Sequence, residues 1–573
     1  MMGSNQQLRA MMAVFLSGEV VRMRGLALVA VLWGVGCTGV PSGAWAQGPQ
    51  PQKTTTVTTT EPAAGKPVMS PSGPAADSVT EGAVTIAGAR IAYRAVAGTI
   101  TVGASDAQDA NLRWDGKLTS DAAVDEPGKP EDRPPTAQMF YTAYFRSDVK
   151  DETTRPVTFI YNGGPGSPTM YLHLGAFGPK HIVLGDLEHP VGGPYRMAEN
   201  PNCLLDASDL VFIDAPGAGY SRVHGKDAMK AFYGVDEDGR AFARFIKKWL
   251  SKHDRWGSPR YIFGESYGTT RSAVLAHMLG DVDLNGVMLL SQILNFSISA
   301  DGPEGNPGTD EAYFLSLPSF AATALFHHKI QAAGGLEPLL QEVEQFAMTD
   351  YAAALHQGAD LSAEKKQAIA AKLAGYTGVP AATWVKANLR LSGGQFSGQL
   401  LTDASDNAGR LDTRYSGPKL DPLSSEADDD PFMSATGPSF LNDMNQYAHD
   451  ELKYGAELTY KPSAREPGFH WNMGHSSPIG GGWEGSLNVM PDLAVAMERS
   501  PKMHVLLMGG YYDLGTTFFG ATYEMKHLPM PARLQSNIAY HWFQTGHMVY
   551  VNPDAAKELH DTTAAFIRTN AGR

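Results

Sequence analysis

The sequence predicts an α/β fold, a mostly parallel twisted sheet with helices on both faces and a large inserted, mainly helical segment. Three observations carry this. Short apolar, β-branched runs recur at residues 157–161, 210–213, 261–263, 286–290, 505–508 and 537–540, each bounded by glycine, proline or polar residues. Helix-period stretches separate them, as right-handed crossovers between parallel strands require. The gap of residues 295–500 between two of these strands is far longer than a crossover needs, which implies an insertion.

In chain order, Arg22 and Arg24 precede the apolar run Leu26-Ala27-Leu28-Val29-Ala30-Val31-Leu32-Trp33, and Ala44-Trp45-Ala46 stands before Gln47. Charge, a short apolar core and a small-x-small site make residues 1–46 an expected signal peptide, cleaved after Ala46. The mature chain is then periplasmic or secreted, with no stable membrane association. An uncleaved anchor and lipidation at Cys37 are the alternatives, and Met1 and Met23 are both candidate starts. Residues 47–79 are rich in Pro and Thr and poor in large apolar side chains, so they read as a disordered linker. The first part of the core is expected over residues 80–294. It opens with Val84-Thr85-Ile86, Arg90-Ile91-Ala92-Tyr93-Arg94 and residues 139–145 as an antiparallel edge. Phe242, Phe245, Ile246, Trp249 and Leu250 then mark one face of a crossover helix. Residues 295–500 form the expected cap, with helices near 336–346 and 363–373. Residues 501–573 return to the core and end in a helix signalled by Asn552-Pro553-Asp554, a cap residue with proline at the first helical position.

The densest chemical signal is Tyr261-Ile262-Phe263-Gly264-Glu265-Ser266-Tyr267-Gly268: a strand, Gly-x-Ser-x-Gly, then a helix-forming stretch. In an α/β-hydrolase this turn lifts a serine hydroxyl above the sheet, so Ser266 is the candidate nucleophile. The five-residue pattern recurs by chance, and its context decides. A strand ending in Asn162-Gly163-Gly164-Pro165-Gly166 lies upstream, where such folds place an oxyanion-hole amide. Asp513 follows the strand at 505–508 and His547 the one at 537–540. Singly, Asp513 reads equally as a turn former and His547 as a loop histidine. Together, in the order Ser, Asp, His, they supply the base Ser266 needs and the acceptor that fixes its tautomer.

Asn162-Gly163-Gly164-Pro165-Gly166, Asp214-Ala215-Pro216-Gly217-Ala218-Gly219-Tyr220-Ser221, Gly264-Glu265-Ser266-Tyr267, Asp513 and Gly546-His547-Met548 resemble the serine carboxypeptidase family, in that family's order. The resemblance spans residues 158–551. It implies an α/β-hydrolase core with an inserted cap, peptide substrates with a free C-terminus, and an oxyanion hole from the amides of Gly164 and Tyr267. It also implies that Asn162, Gly163 and a protonated Glu265 bind the substrate's terminal carboxylate. One departure stands out. Where the family carries an acid before Leu-Gly-Pro that shares a proton with the glutamate, this chain reads Ala176-Phe177-Gly178-Pro179.

Other readings are weaker. The formal charge of -14 argues against nucleic-acid binding. His327-His328, His470 and His475 lack the His-Glu-x-x-His spacing of a zinc protease, so no metal is expected, and no organic cofactor either. Asp428-Asp429-Asp430 reads as a solvated loop. With only Cys37 and Cys203 in the chain, cleavage would leave one thiol and no intramolecular disulfide. Cys203 reads as a core residue. The functional expectation is an exported serine carboxypeptidase acting through an acyl-enzyme on Ser266. The alternatives are an esterase or acyltransferase on the same fold, or a non-catalytic binding protein of hydrolase shape.

Overall fold

The computed structural model describes residues 76–119, 132–189, 192–480 and 486–572. The expected signal segment, its cleavage site and nearly all of the expected linker lie outside them. Nine strands form the path of one ten-stranded sheet. They are β1 (Ser78–Ile86), β2 (Ala89–Gly103), β3 (Thr136–Arg146), β4 (Val157–Tyr161), β5 (Asp209–Ile213), β6 (Arg260–Glu265), β7 (Gly286–Leu290), β8 (His504–Gly510) and β9 (Ile538–Phe543). β1 takes in the last two residues of the expected linker, Ser78 and Val79. The spatial order is β1-β2-β3-β5-β4-β6-β7-β8-β9, and Arg222–His224 adds a short tenth strand beside β3. Pairing is antiparallel from β1 to β5 and parallel from β5 to β9. That is the α/β-hydrolase order with one extra antiparallel strand at the leading edge.

Strand periodicity divides the sheet's side chains between two cores. Phe159, Ile262, Val505 and Leu507 pack on one face. Ile160, Phe263, Leu506 and Met508 pack on the other. Helix α1 (Val235–Lys252) lays Phe242, Phe245, Ile246, Trp249 and Leu250 into the first core, all fully buried, as the helical spacing predicts. Helix α2 (Tyr267–Met278) follows Ser266 directly and is buried along nearly its whole length, so its apolar residues show no stripe. The last helix, Pro553–Asn570, buries Leu559, Ala564 and Ile567 in the second core.

The residues between β7 and β8 do not behave as one block. Helices α3 (Glu311–Phe326), α4 (Leu336–Phe346) and α5 (Ala363–Thr377) build a separate core around Phe320, Val343, Leu373 and Trp384. By contrast α6 (Pro431–Asp450) puts Phe432, Phe440, Met444 and Tyr447 into the sheet's second core. Helix α7 (Met490–Arg499) puts Leu493 and Met497 into the first. α8 (Phe518–Lys526) and α9 (Pro553–Asn570) complete the core, with the Asn552 side chain accepting from Ala555 N–H at the start of α9. Buried Cys203 lies in the second core among Leu204, Leu205 and Phe212, and burial pushes its thiol well up. Among the described residues no helix is long and apolar enough to cross a membrane, and no group of three or more His, Cys, Asp or Glu is arranged to hold a metal ion.

Candidate active site

Ser266 sits between β6 and α2 at φ 60° and ψ -132°, a conformation that costs a non-glycine residue energy and that neighbouring contacts must impose. Two contacts do so. Ser266 N–H donates to Leu290 O at the end of β7 (3.0 Å), and Thr269 N–H and Oγ1 return to Ser266 O (2.8 and 2.7 Å). The side chain is partly accessible amid buried neighbours.

Asp513 and His547 come from the loops after β8 and β9, and they meet. His547 Nδ1 and Asp513 Oδ2 are 2.6 Å apart, with Asp513 fully buried and His547 nearly so. Asp513 accepts from Gly515 N–H (2.8 Å), Thr516 N–H (3.1 Å) and Thr516 Oγ1 (2.7 Å), which fixes the carboxylate plane. Burial alone would lower the imidazole, but the charge and hydrogen bond of Asp513 outweigh it and raise His547 above its ordinary value. Ser266 Oγ makes no hydrogen bond to His547 among the described residues. Catalytic contacts are commonly long before substrate binds. The backbones are nonetheless tied, since Ser291, next to Leu290, donates its Oγ to His547 O at 2.7 Å.

The glycine loop after β4 touches the serine turn directly. A Cβ on Gly163 would lie 2.4 Å from Tyr267 N and 2.7 Å from Glu265 O, so only glycine lets the two backbones approach. Gly164 follows at φ 109°. Its N–H has no protein acceptor among the described residues, and Tyr267 opens α2, where a backbone N–H has no intrahelical partner. Two unspent donors thus flank the serine turn.

Beside them lies a buried amide and acid. Asn162 Nδ2 donates to Glu265 Oε2 at 2.8 Å, and Leu172 N–H holds Asn162 Oδ1 at 3.1 Å. Burial raises Glu265 to about 7, while His547 and the hydrogen bonds from Tyr550 and Asn162 pull the other way. Arg271 supports the arrangement from below. Its guanidinium donates to Asn162 O (2.8 Å) and pairs with fully buried Asp238 (2.5 Å).

Sequence reasoning missed two contributors. Tyr550, three residues after His547, donates its hydroxyl to Glu265 Oε2 at 2.9 Å and lies 3.2 Å from Oε1. A strap of residues 461–476 also crosses the site. Lys461 and Gly219 pair by backbone (2.8 and 3.0 Å), Ala464 N–H donates to Gly166 O (2.8 Å), and Trp471 Nε1 donates to Tyr267 Oη (3.2 Å). His475 ends the strap between Asp236 (2.6 Å) and Asp492 (2.8 Å). Burial would lower that imidazole, yet the two carboxylates raise it to about 9. The strap has no hydrophobic period, so only Trp471 beside an aromatic-rich turn could have signalled it.

A sequence model described as serine carboxypeptidase matches residues 131–286, the segment from β3 through the glycine loop and serine turn to β7. That segment is similar to the serine carboxypeptidases. Serine carboxypeptidase-like 44 of Arabidopsis thaliana is 27% identical over 135 residues, 22% of this chain and 25% of that protein. Serine carboxypeptidase-like 33 of the same plant is 26% identical over 191 residues, 31% of this chain and 35% of that protein. The matches therefore span no more than about a third of those relatives' length. Among solved structures, the prohormone-processing carboxypeptidase Kex1(delta)p of Saccharomyces cerevisiae covers 83% of this chain and 91% of its own at 14% identity and a TM-score of 0.46. The proline iminopeptidase of Mycobacterium smegmatis covers 76% and 96% at 12% identity and a TM-score of 0.32.

Proposed function

We propose that this chain is an exported serine carboxypeptidase that releases C-terminal residues from peptides through an acyl-enzyme on Ser266. The observation that carries the reading is the buried Asn162 to Glu265 hydrogen bond of 2.8 Å beside the serine turn. An esterase needs the serine, a base and an oxyanion hole, but has no use for an amide and a protonatable acid buried together at that point.

In the proposed cycle His547 Nε2 takes the Ser266 proton as Oγ attacks the scissile carbonyl, and Asp513 holds Nδ1–H and stabilises the imidazolium. Gly164 and Tyr267 N–H groups receive the oxyanion that develops on that carbonyl. Protonated His547 then gives its proton to the leaving amine, which departs as the C-terminal amino acid. Water, deprotonated by His547, attacks the acyl ester and regenerates Ser266. Asn162, Gly163 and protonated Glu265 meet the terminal carboxylate, so a substrate is placed with its last peptide bond over Ser266. Burial supports this role, because at a value of about 7 Glu265 is protonated over the acidic range, where an exposed glutamate is ionised.

The test is digestion of a blocked peptide library read by mass spectrometry over time. A ladder of products shortened one residue at a time from the C-terminus is expected. Internal cleavage, or turnover of acyl esters alone, overturns the reading. Export is tested separately, by N-terminal sequencing of protein from its native host, where Gln47 is the expected first residue.

A further inference from the structure

Glu265 is not evenly solvated by its partners. Asn162 Nδ2 and Tyr550 Oη both approach Oε2 (2.8 and 2.9 Å), whereas among the described residues Oε1 has only the longer contact to Tyr550 (3.2 Å). A proton placed on Oε1 leaves both short hydrogen bonds to Oε2 in place. Tyr550 reaches this position because of Gly175. A Cβ there would lie 2.4 Å from Tyr550 Cδ2 and 2.6 Å from Cε2, so the ring rests directly on the glycine. The neighbouring residue, Ala176, is buried and brings no carboxyl. The other titratable groups facing Glu265 are His547 and Asp513 from the loops after β9 and β8, and Tyr171 from the segment after the glycine loop.

We propose that Tyr550 is a positioning residue of the carboxylate clamp: its hydroxyl holds Glu265 through Oε2, reserves Oε1 for the proton offered to a substrate's terminal carboxylate, and sets the pH at which that proton is lost. The proposal rests on the carboxypeptidase reading, and it gives an aromatic hydroxyl the place beside Glu265 that lacks a second acid. The direction of its effect follows from elementary electrostatics. A donor to a carboxylate favours the ionised form, so removing the hydroxyl must raise the pH at which Glu265 titrates. The variant lacking the hydroxyl should thus work at higher pH than the native protein, the reverse of ordinary damage to a site.

The experiment follows the carboxyl C=O band of Glu265 by infrared difference spectroscopy across pH, identified by its loss in Glu265→Gln. In Tyr550→Phe the midpoint should rise by about one pH unit, roughly tenfold in the ionisation constant. Gly175→Ala, which pushes the ring and leaves the hydroxyl in the chain, should move it the same way. The alkaline limb of kcat/KM for a free-acid peptide should move up by the same amount, with the profile for an acyl ester unchanged. A midpoint that stays or falls in Tyr550→Phe overturns the proposal, as does an equal shift of the ester profile. The infrared measurement needs no turnover. If the native protein cleaves no peptide at all, the carboxypeptidase reading fails while the hold of Tyr550 on Glu265 is still decided.

Discussion

Glu265 and Glu524 are nearly identical by one criterion and opposite by another. Both are buried carboxyls, and burial raises both to about 7. Glu524, on α8, accepts from Leu294 N–H (2.9 Å), Asn295 N–H (3.2 Å) and Gln292 Nε2 (2.6 Å), so it fastens the turn after β7. Among the described residues, the Glu265 carboxyl accepts from the side chains of Asn162 and Tyr550 alone. A carboxylate gripped by backbone amides is tied to the fold, because those donors cannot turn away without unravelling the segment. One gripped by side chains can exchange a donor for a ligand. In both glutamates the shifted titration marks burial, and the kind of donor is what distinguishes one from the other. Asp214 makes the same point, being raised by burial to about 7 while accepting from Thr169 and Tyr220 N–H groups.

The baseline for that contrast is the triad, where the largest losses are expected. Ser266→Ala should abolish turnover of peptide and ester alike, with circular dichroism unchanged, and a fluorophosphonate probe should lose its single labelling site. Labelling of another serine would remove Ser266 from the mechanism. Asp513→Asn should cost about 10⁴-fold in kcat on both substrates, since an asparagine favours the wrong imidazole tautomer.

Next comes Glu524, whose effect should fall on stability. Its folded value lies above its unfolded one, so the folded chain holds the extra proton. That contribution is complete below about pH 4.5 and is lost as pH rises through about 7, a fall of about 3 kcal/mol in order of magnitude. Glu524→Gln should flatten this part of the stability profile in urea titrations while the ratio of peptide to ester turnover stays constant. A changed ratio would break the contrast between the two acids.

The smallest predicted effect is the most selective. Asn162→Ala should cost roughly ten- to a hundredfold in kcat/KM for a peptide with a free C-terminus, about 1.5–3 kcal/mol, as for a lost hydrogen bond to a charged group. Esters should be nearly untouched. Equal losses on both would move the balance to an esterase or acyltransferase.

What could be read in advance follows from where each signal resides. The strands that position Ser266, Asp513 and His547 are short and rich in apolar residues, β6 and β8 are buried along nearly their whole length, and each residue lies just past a strand end, so local sequence suffices for the order of the site. Glu265 was legible as neighbour to Ser266. Tyr550 was not, because its meaning depends on contact with a residue 285 positions earlier and on the bare Cα of Gly175. The helices between β7 and β8 show the same limit. α4 and α6 both bury residues at helical spacing, yet one faces a separate core and the other the sheet. Periodicity tells a helix that it must be buried and leaves open what buries it.

The strap has a further consequence. Between Ala464 and His475 the chain touches the glycine loop at Gly166, the serine turn at Tyr267 and the start of α1 at Asp236, while donating no candidate catalytic atom. The glycine loop and the serine turn, which carry the two candidate oxyanion amides, are therefore both braced by a ribbon without regular secondary structure of its own. A single proteolytic nick in that ribbon should silence the enzyme with every reacting group still in the molecule, making the strap the point where this site is most easily switched off.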